Sequence, residues 1–168
     1  MATLMFRQAY ESILAELAEM PLFLERVFTG LSPEYLHRMP DDDSSPLLEH
    51  LWHVRDCDVD LYGARIDAGL AEDRPTLAGV DVNAWPAARH YMQRSADVAV
   101  AEFAVLRRQL IARLAELDEE ALSRTGVHFT GTPMNVLGII EQLAAHDRDH
   151  RWRIAAILRG YAMAPRVL

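Results

Sequence analysis

The sequence predicts an all-α protein built as a four-helix bundle, and three observations carry that expectation. Apolar residues recur at three- and four-residue steps in four long segments. No run shows the convincing apolar–polar alternation of a half-buried strand. Glycine, proline and capping residues fall between the segments, and the later loops are long enough for crossover connections.

The first helix is expected from about Leu4 to Phe28, with Tyr10, Ile13, Leu14, Leu17, Leu24 and Phe28 as its apolar stripe. Pro21 lies inside that stripe and predicts a kink there or a break just before it. Gly30 ends the helix, and Ser32-Pro33-Glu34 opens a short helical turn through His37. A loop follows over Pro40–Pro46. Ser45 as N-cap, Pro46 at the first helical position and Glu49 a turn later start the second helix, which Gly69 closes after Ala68. The third helix is expected from Pro86 to Leu117, with Phe103, Leu106, Leu110, Leu114 and Leu117 along its later half. The fourth runs from about Pro133 to Arg159 and stops at Gly160. No repeat or low-complexity linker divides the chain, so residues 1–168 are read as a single domain.

Composition narrows the function classes. With 51% hydrophobic and 25% charged residues over 168 positions, the chain has the means to form a core without covalent staples. Cys57 is its one cysteine, which excludes an internal disulfide framework. The net charge of −8 argues against a nucleic-acid partner, because phosphate binding needs clustered positive charge. All 17 basic residues are arginine, so no lysine Schiff base or lysine general base is available. No apolar run approaches the ~18–20 residues of a membrane span, and the first residues lack the pattern of a signal peptide. The expectation is a cytoplasmic protein with no membrane partner.

The most informative stretch lies on the fourth helix. At 100° per residue, Val136, Ile139, Ile140, Leu143, Ile154, Ile157 and Leu158 fall in one arc. His146, Asp147 and His150 extend or enter it, whereas Glu141, Arg148 and Arg159 point away. Two histidines four residues apart are neighbours on a helix surface, and their imidazoles can converge on one ion. A buried histidine is more often a hydrogen-bonded core residue. Two in register, with an aspartate between them, would cost a few kcal/mol to bury without partners.

A metal site needs a further ligand. His37 and His128 fall in loops and His90 near the start of the third helix. His50 and His53 share the second helix, whose apolar arc is very broad and even includes Asp58. His50 lies within the rim of that arc and His53 just outside it, so periodicity leans slightly to His50.

The chain from Ser44 to Gly160 resembles the DinB-like family of metal-binding helical bundles. The matching parts are Trp52-His53-Val54-Arg55-Asp56, Arg89-His90-Tyr91, the Phe103–Leu110 run, His128-Phe129-Thr130-Gly131, and His146-Asp147-Arg148-Asp149-His150-Arg151. The resemblance implies His53 rather than His50 as the second-helix ligand, giving the set His53, His146 and His150. Val54 departs mildly from the leucine usual at its position. The resemblance also implies an unusual four-helix bundle, a divalent ion (commonly zinc or nickel) and often a homodimer. Characterised relatives include thiol-dependent S-transferases and mycothiol-dependent isomerases, which implies a low-molecular-weight thiol cosubstrate and a small-molecule substrate.

Three neutral histidines leave coordination positions open, as catalytic metal sites do. The expected function is activation of a thiol or water for attack on a small electrophile. A metal-dependent hydrolase and a non-catalytic metal-binding bundle are the alternatives, and a metal-free polar network is a weaker third. No catalytic side chain stands out. Cys57, one turn after His53, reads as a small core residue. Asp147, Glu49 and Asp56 are candidates to orient a histidine. Trp52 and Trp152 read as packing residues, and Arg151 as a surface ion-pair partner.

Overall fold

The computed structural model describes residues 2–40 and 44–163; part of the Pro40–Pro46 loop therefore lies outside the described residues. Over the described residues the fold is all-α with one small sheet. Helix α1 spans Ala2–Phe28 and α2 Pro33–His37. Helix α3 spans Leu47–Cys57, continues through a widened π-helical turn at Asp58–Gly63, and resumes as α4 over Ala64–Ala71. The short α5 covers Trp85–Ala88, α6 Ala96–Ala115, α7 Glu119–Ser123 and α8 Val136–Met163.

Helix α1 packs on α6 and α8, and α3 packs on the same two. The order around the bundle is thus α1, α6, α3, α8, with α1 facing α3 and α6 facing α8 across its middle. The long α6–α8 connection makes that diagonal crossing. Apolar side chains fill the centre: Leu17, Met20 and Leu24 from α1, Leu47 and Leu51 from α3, Phe103 from α6, and Ile140 and Ile154 from α8 are each fully buried.

Several boundaries differ from the sequence-based expectation, each for a local reason. Helix α1 runs unbroken through Pro21. Interior proline costs about 3 kcal/mol, and buried Tyr10, Leu17, Leu24 and Phe28 on both sides of it outweigh that. Pro46, not Ser45, occupies the cap position of α3. Gly69 does not end the second helix, which runs to Ala71. A Cβ on Gly69 would stand 3.0 Å from Val136 Cγ2, so this glycine lets α4 approach the start of α8 closely. Gly160 does not stop α8 either. Tyr161 packs inward and its hydroxyl donates to the Arg38 carbonyl at 2.5 Å, which secures the last turn.

The expected third helix is two pieces. His90 adopts a left-handed conformation (φ 53°), which ends the first piece, and a 3-10 turn at Tyr91–Gln93 follows. Ser95 then caps α6 by accepting from the Val98 amide. Along α6 the buried positions are Ala96, Ala99, Phe103, Arg107, Leu110 and Leu114, so an arginine takes the inward place expected for Leu106.

Three short strands were not expected. β1 (Thr76–Leu77) pairs in parallel with β2 (Thr125–His128), and β2 pairs antiparallel with β3 (Pro133–Asn135). Runs of two to four residues are too short to show alternation. Pro133 accordingly belongs to a strand, and α8 begins at Val136.

The π-helical turn has a visible cause. A Cβ on Gly63 would lie 2.6 Å from the Asp58 carbonyl oxygen, so the wide turn can close only over glycine. It sits directly after His53 and Cys57 and presents Asp58 and Tyr62 to the interior.

Candidate metal centre

Four histidines meet between α3 and α8. His53, His146 and His150 each offer a ring nitrogen within 4.8 Å of the others. The Nε2 atoms of His53 and His146 lie 3.2 Å apart. The ring centroids are 5.3 Å apart for His53–His146, 4.9 Å for His53–His150 and 4.4 Å for His146–His150. His50 stands beside this trio, its Nδ1 3.1 Å from Nδ1 of His150. The i, i+4 spacing on α8 and the i, i+3 spacing on α3 place all four rings at one level of the bundle. Among the described residues, His37, His90 and His128 do not join the trio; His128 instead contacts Thr130 Oγ1 at 2.8 Å.

The electrostatics favour neutral rings at His53 and His150. Burial, then the nearby His146 and His50, push His53 down to about 4. Burial and the neighbouring histidines lower His150 as well. Neutral imidazoles carry lone pairs, and several of them aimed at one point suit a cation. The donor set therefore fits a divalent metal ion.

Cys57 Sγ is 3.4 Å from His53 Nε2, but the thiol is buried, and desolvation with Asp56 and Asp58 nearby pushes it up to about 12. It stays protonated at neutral pH and is a core residue, as its sequence context indicates. Rings of Tyr62 and Trp85 close two sides, 5.3 Å from His146 and 6.4 Å from His53.

Of the three acidic candidates, two are occupied elsewhere. Asp56 is fully buried and accepts from Arg89 Nη1 at 2.6 Å, the Tyr91 hydroxyl at 2.8 Å and Arg55 Nη1 at 3.0 Å. Asp147 pairs with Arg107 Nη1 at 2.5 Å, while His146 Nδ1 is 3.9 Å from its Oδ1. Burial alone would raise the Asp147 carboxyl; His146 and Arg107 beside it hold it below its usual range. Arg107, itself fully buried, also donates to Asp58 at 2.7 Å and to the Leu17 carbonyl at 3.1 Å. One guanidinium so ties α1, the π turn, α6 and α8 together beneath the histidines. Sequence reasoning missed Arg107. Its signal was a charge at an inward step between Phe103 and Leu110, with Asp58 inside an apolar arc as the counterpart.

Glu49 lines an open cleft of about 770 Å³ above His50, His53 and His150. Ser45, Asn83, His90, Gln93, Asp149 and Arg153 complete its polar lining. The His90 wall is anchored on both sides: Arg89 bonds Asp56 and Asp60, and Tyr91 is fully buried. Trp52 packs as expected and stacks on Tyr91, but Trp152 is 66% exposed and does not. Arg151 pairs with Glu19 at 2.5 Å on the surface.

The arrangement of helices is similar to that of a solved Bacillus subtilis protein, YfiT, described as a probable metal-dependent hydrolase with an unusual four-helix bundle topology. The match has a TM-score of 0.84 at 18% identity and covers 92% of this chain and 89% of that one, a likeness of fold. No curated protein matches the sequence. The family model of the DinB superfamily matches residues 16–154, most of the chain, and the protein therefore belongs to the DinB superfamily.

Proposed function

We propose that His53, His146 and His150 hold one divalent ion, zinc or nickel, and that the protein is a metal-dependent enzyme which activates a thiol or water for attack on a small electrophilic molecule. The observation that carries this reading is the convergence of three ring nitrogens within 4.8 Å beneath an open polar cleft. When bound, such an ion supplies Lewis acidity, lowering the pKa of a thiol or water beside it toward neutrality.

The chain's own residues define the rest. The nucleophile comes from outside, because Cys57 is buried and protonated and the sequence has no lysine. The cleft volume of about 770 Å³ is in the range of small-molecule sites. It has room for a thiol cosubstrate beside the electrophile. Glu49, His90 and Arg153 offer groups that bind polar substituents. Tyr62 and Trp85 flank the histidines and shield them from bulk water.

Hydrolysis is the second reading, favoured by the likeness to YfiT in fold and by the description of that protein. One assay separates the two. The metal-loaded protein is offered an activated aryl halide with a low-molecular-weight thiol, and an activated ester without thiol. Metal-dependent conjugation abolished in His146→Ala supports the thiol reading, and ester hydrolysis with the same dependence supports water. Stoichiometric metal with neither activity leaves a non-catalytic metal-binding bundle.

A further inference from the structure

We infer that His50 is a positioning residue, whose ring holds His150 in the tautomer that turns the His150 Nε2 lone pair toward His53 and His146. The inference rests on reading the trio as a metal centre, but it concerns a residue outside that trio. Both rings are buried, His50 at 7% and His150 at 8% exposure. They meet edge to face, with centroids 5.2 Å apart and planes at 69°, and their Nδ1 atoms lie 3.1 Å apart. Two neutral imidazoles joined nitrogen to nitrogen form a hydrogen bond only when one of those nitrogens is protonated and the other is not.

That condition fixes the roles. A ring nitrogen engaged with His50 is not available to an ion, so His150 offers Nε2. An Nε2 with a free lone pair places the His150 proton on Nδ1. His150 therefore donates, His50 Nδ1 accepts, and the proton of His50 resides on its Nε2. His53 and His146 already face each other through Nε2, so all three rings present the same nitrogen. Metal-binding histidines commonly donate their second ring nitrogen to a carboxylate or carbonyl. Here the α8 carboxylates closest to it in sequence, Asp149 and Asp147, pair with Arg153 and Arg107, and an imidazole fills the role for His150. His50 also lines the cleft, so this contact runs from the substrate side to the candidate ligand. A fourth-ligand role for His50 is disfavoured, because it stands outside the close trio and its Nδ1 faces His150.

The test uses the full chain, labelled with ¹⁵N-histidine and free of metal. Long-range ¹H–¹⁵N correlations are expected to show His150 protonated at Nδ1 and His50 at Nε2. Chelator competition with zinc is expected to give His50→Leu an affinity about 10- to 100-fold weaker than the parent. His50→Gln, whose amide oxygen can accept from His150 Nδ1–H, is expected to recover most of that loss. A His150 ring protonated at Nε2, or unchanged affinity in His50→Leu, overturns the inference. So does a cobalt spectrum in which His50→Leu loses a ligand as His150→Ala does, since His50 would then bind the ion itself. If the parent binds no metal, the metal-centre reading fails, and the tautomer measurement still decides the inference. Should His50→Leu fail to fold, the tautomers of the parent and the affinity of His50→Gln carry the decision.

Discussion

Helix α8 buries two kinds of polar group within five residues, and they are satisfied in opposite ways. Asp147 faces Arg107, which also holds Asp58 and the Leu17 carbonyl, so acceptors meet donors and negative meets positive. On either side of it in sequence, His146 and His150 face further histidines, like against like. The first arrangement is complete in itself and explains how four helices are held. In the second, ring nitrogens face ring nitrogens, and beyond a bond such as that between His150 and His50 the trio is left with convergent lone pairs that suit a cation. Burial of polar groups alone does not mark a functional site; a deficit of positive charge among convergent donors does.

The largest expected effect breaks the complete side of this contrast. Arg107→Leu leaves two carboxylates buried without a cation, and urea denaturation is expected to show a loss of about 3–5 kcal/mol. A loss under 1 kcal/mol would mean the ion triad does not hold the bundle. On the deficient side, removing metal is expected to cost less. With free metal at a hundred times Kd, the bound ion stabilises the fold by about 2.7 kcal/mol, so chelation should lower the melting temperature accordingly. The same chelation applied to His150→Ala is expected to change nothing.

Acid sharpens the comparison further. In the metal-free protein His53 titrates near 4, below the ~6.5 of an unfolded histidine. The unfolded chain then binds more protons between those values. Stability from this group is complete above about pH 6.5 and is lost as pH falls toward 4, with a slope of up to about 1.4 kcal/mol per pH unit. Replacing His53 by leucine should flatten that part of the profile measured by denaturant titration; an unaltered slope would assign the acid sensitivity elsewhere. The smallest effect is expected at Cys57. Cys57→Ala should cost on the order of 1 kcal/mol for one small core group while leaving metal stoichiometry intact. A stoichiometric loss of metal would make the thiol a ligand.

The four long helices were legible because each carries a wide apolar stripe, and the α8 histidines because one helical period places them on its buried side. The choice between His50 and His53 was not legible from periodicity. Helix α3 is enclosed on nearly all sides, so its apolar arc points nowhere in particular, and the family frame supplied His53. The structure brings both into contact with α8, His53 within the trio and His50 against His150. The features left unread depend on contacts between distant segments. Arg107 looks like a surface residue until Asp58 and Asp147 arrive from other helices. The π turn at Asp58–Gly63 is closed by a single glycine, and the break at His90 is stabilised by Arg89 and Tyr91 reaching Asp56.

The central claim is that three imidazoles from α3 and α8 share one divalent ion. Equilibrium dialysis against zinc or nickel, with elemental analysis of the dialysed chain, counts that ion directly. One ion per chain is expected for the parent, and none at the same free concentration for His53→Ala, His146→Ala or His150→Ala with the fold intact. A parent chain that takes up no ion, or three variants that each still hold one, would contradict it.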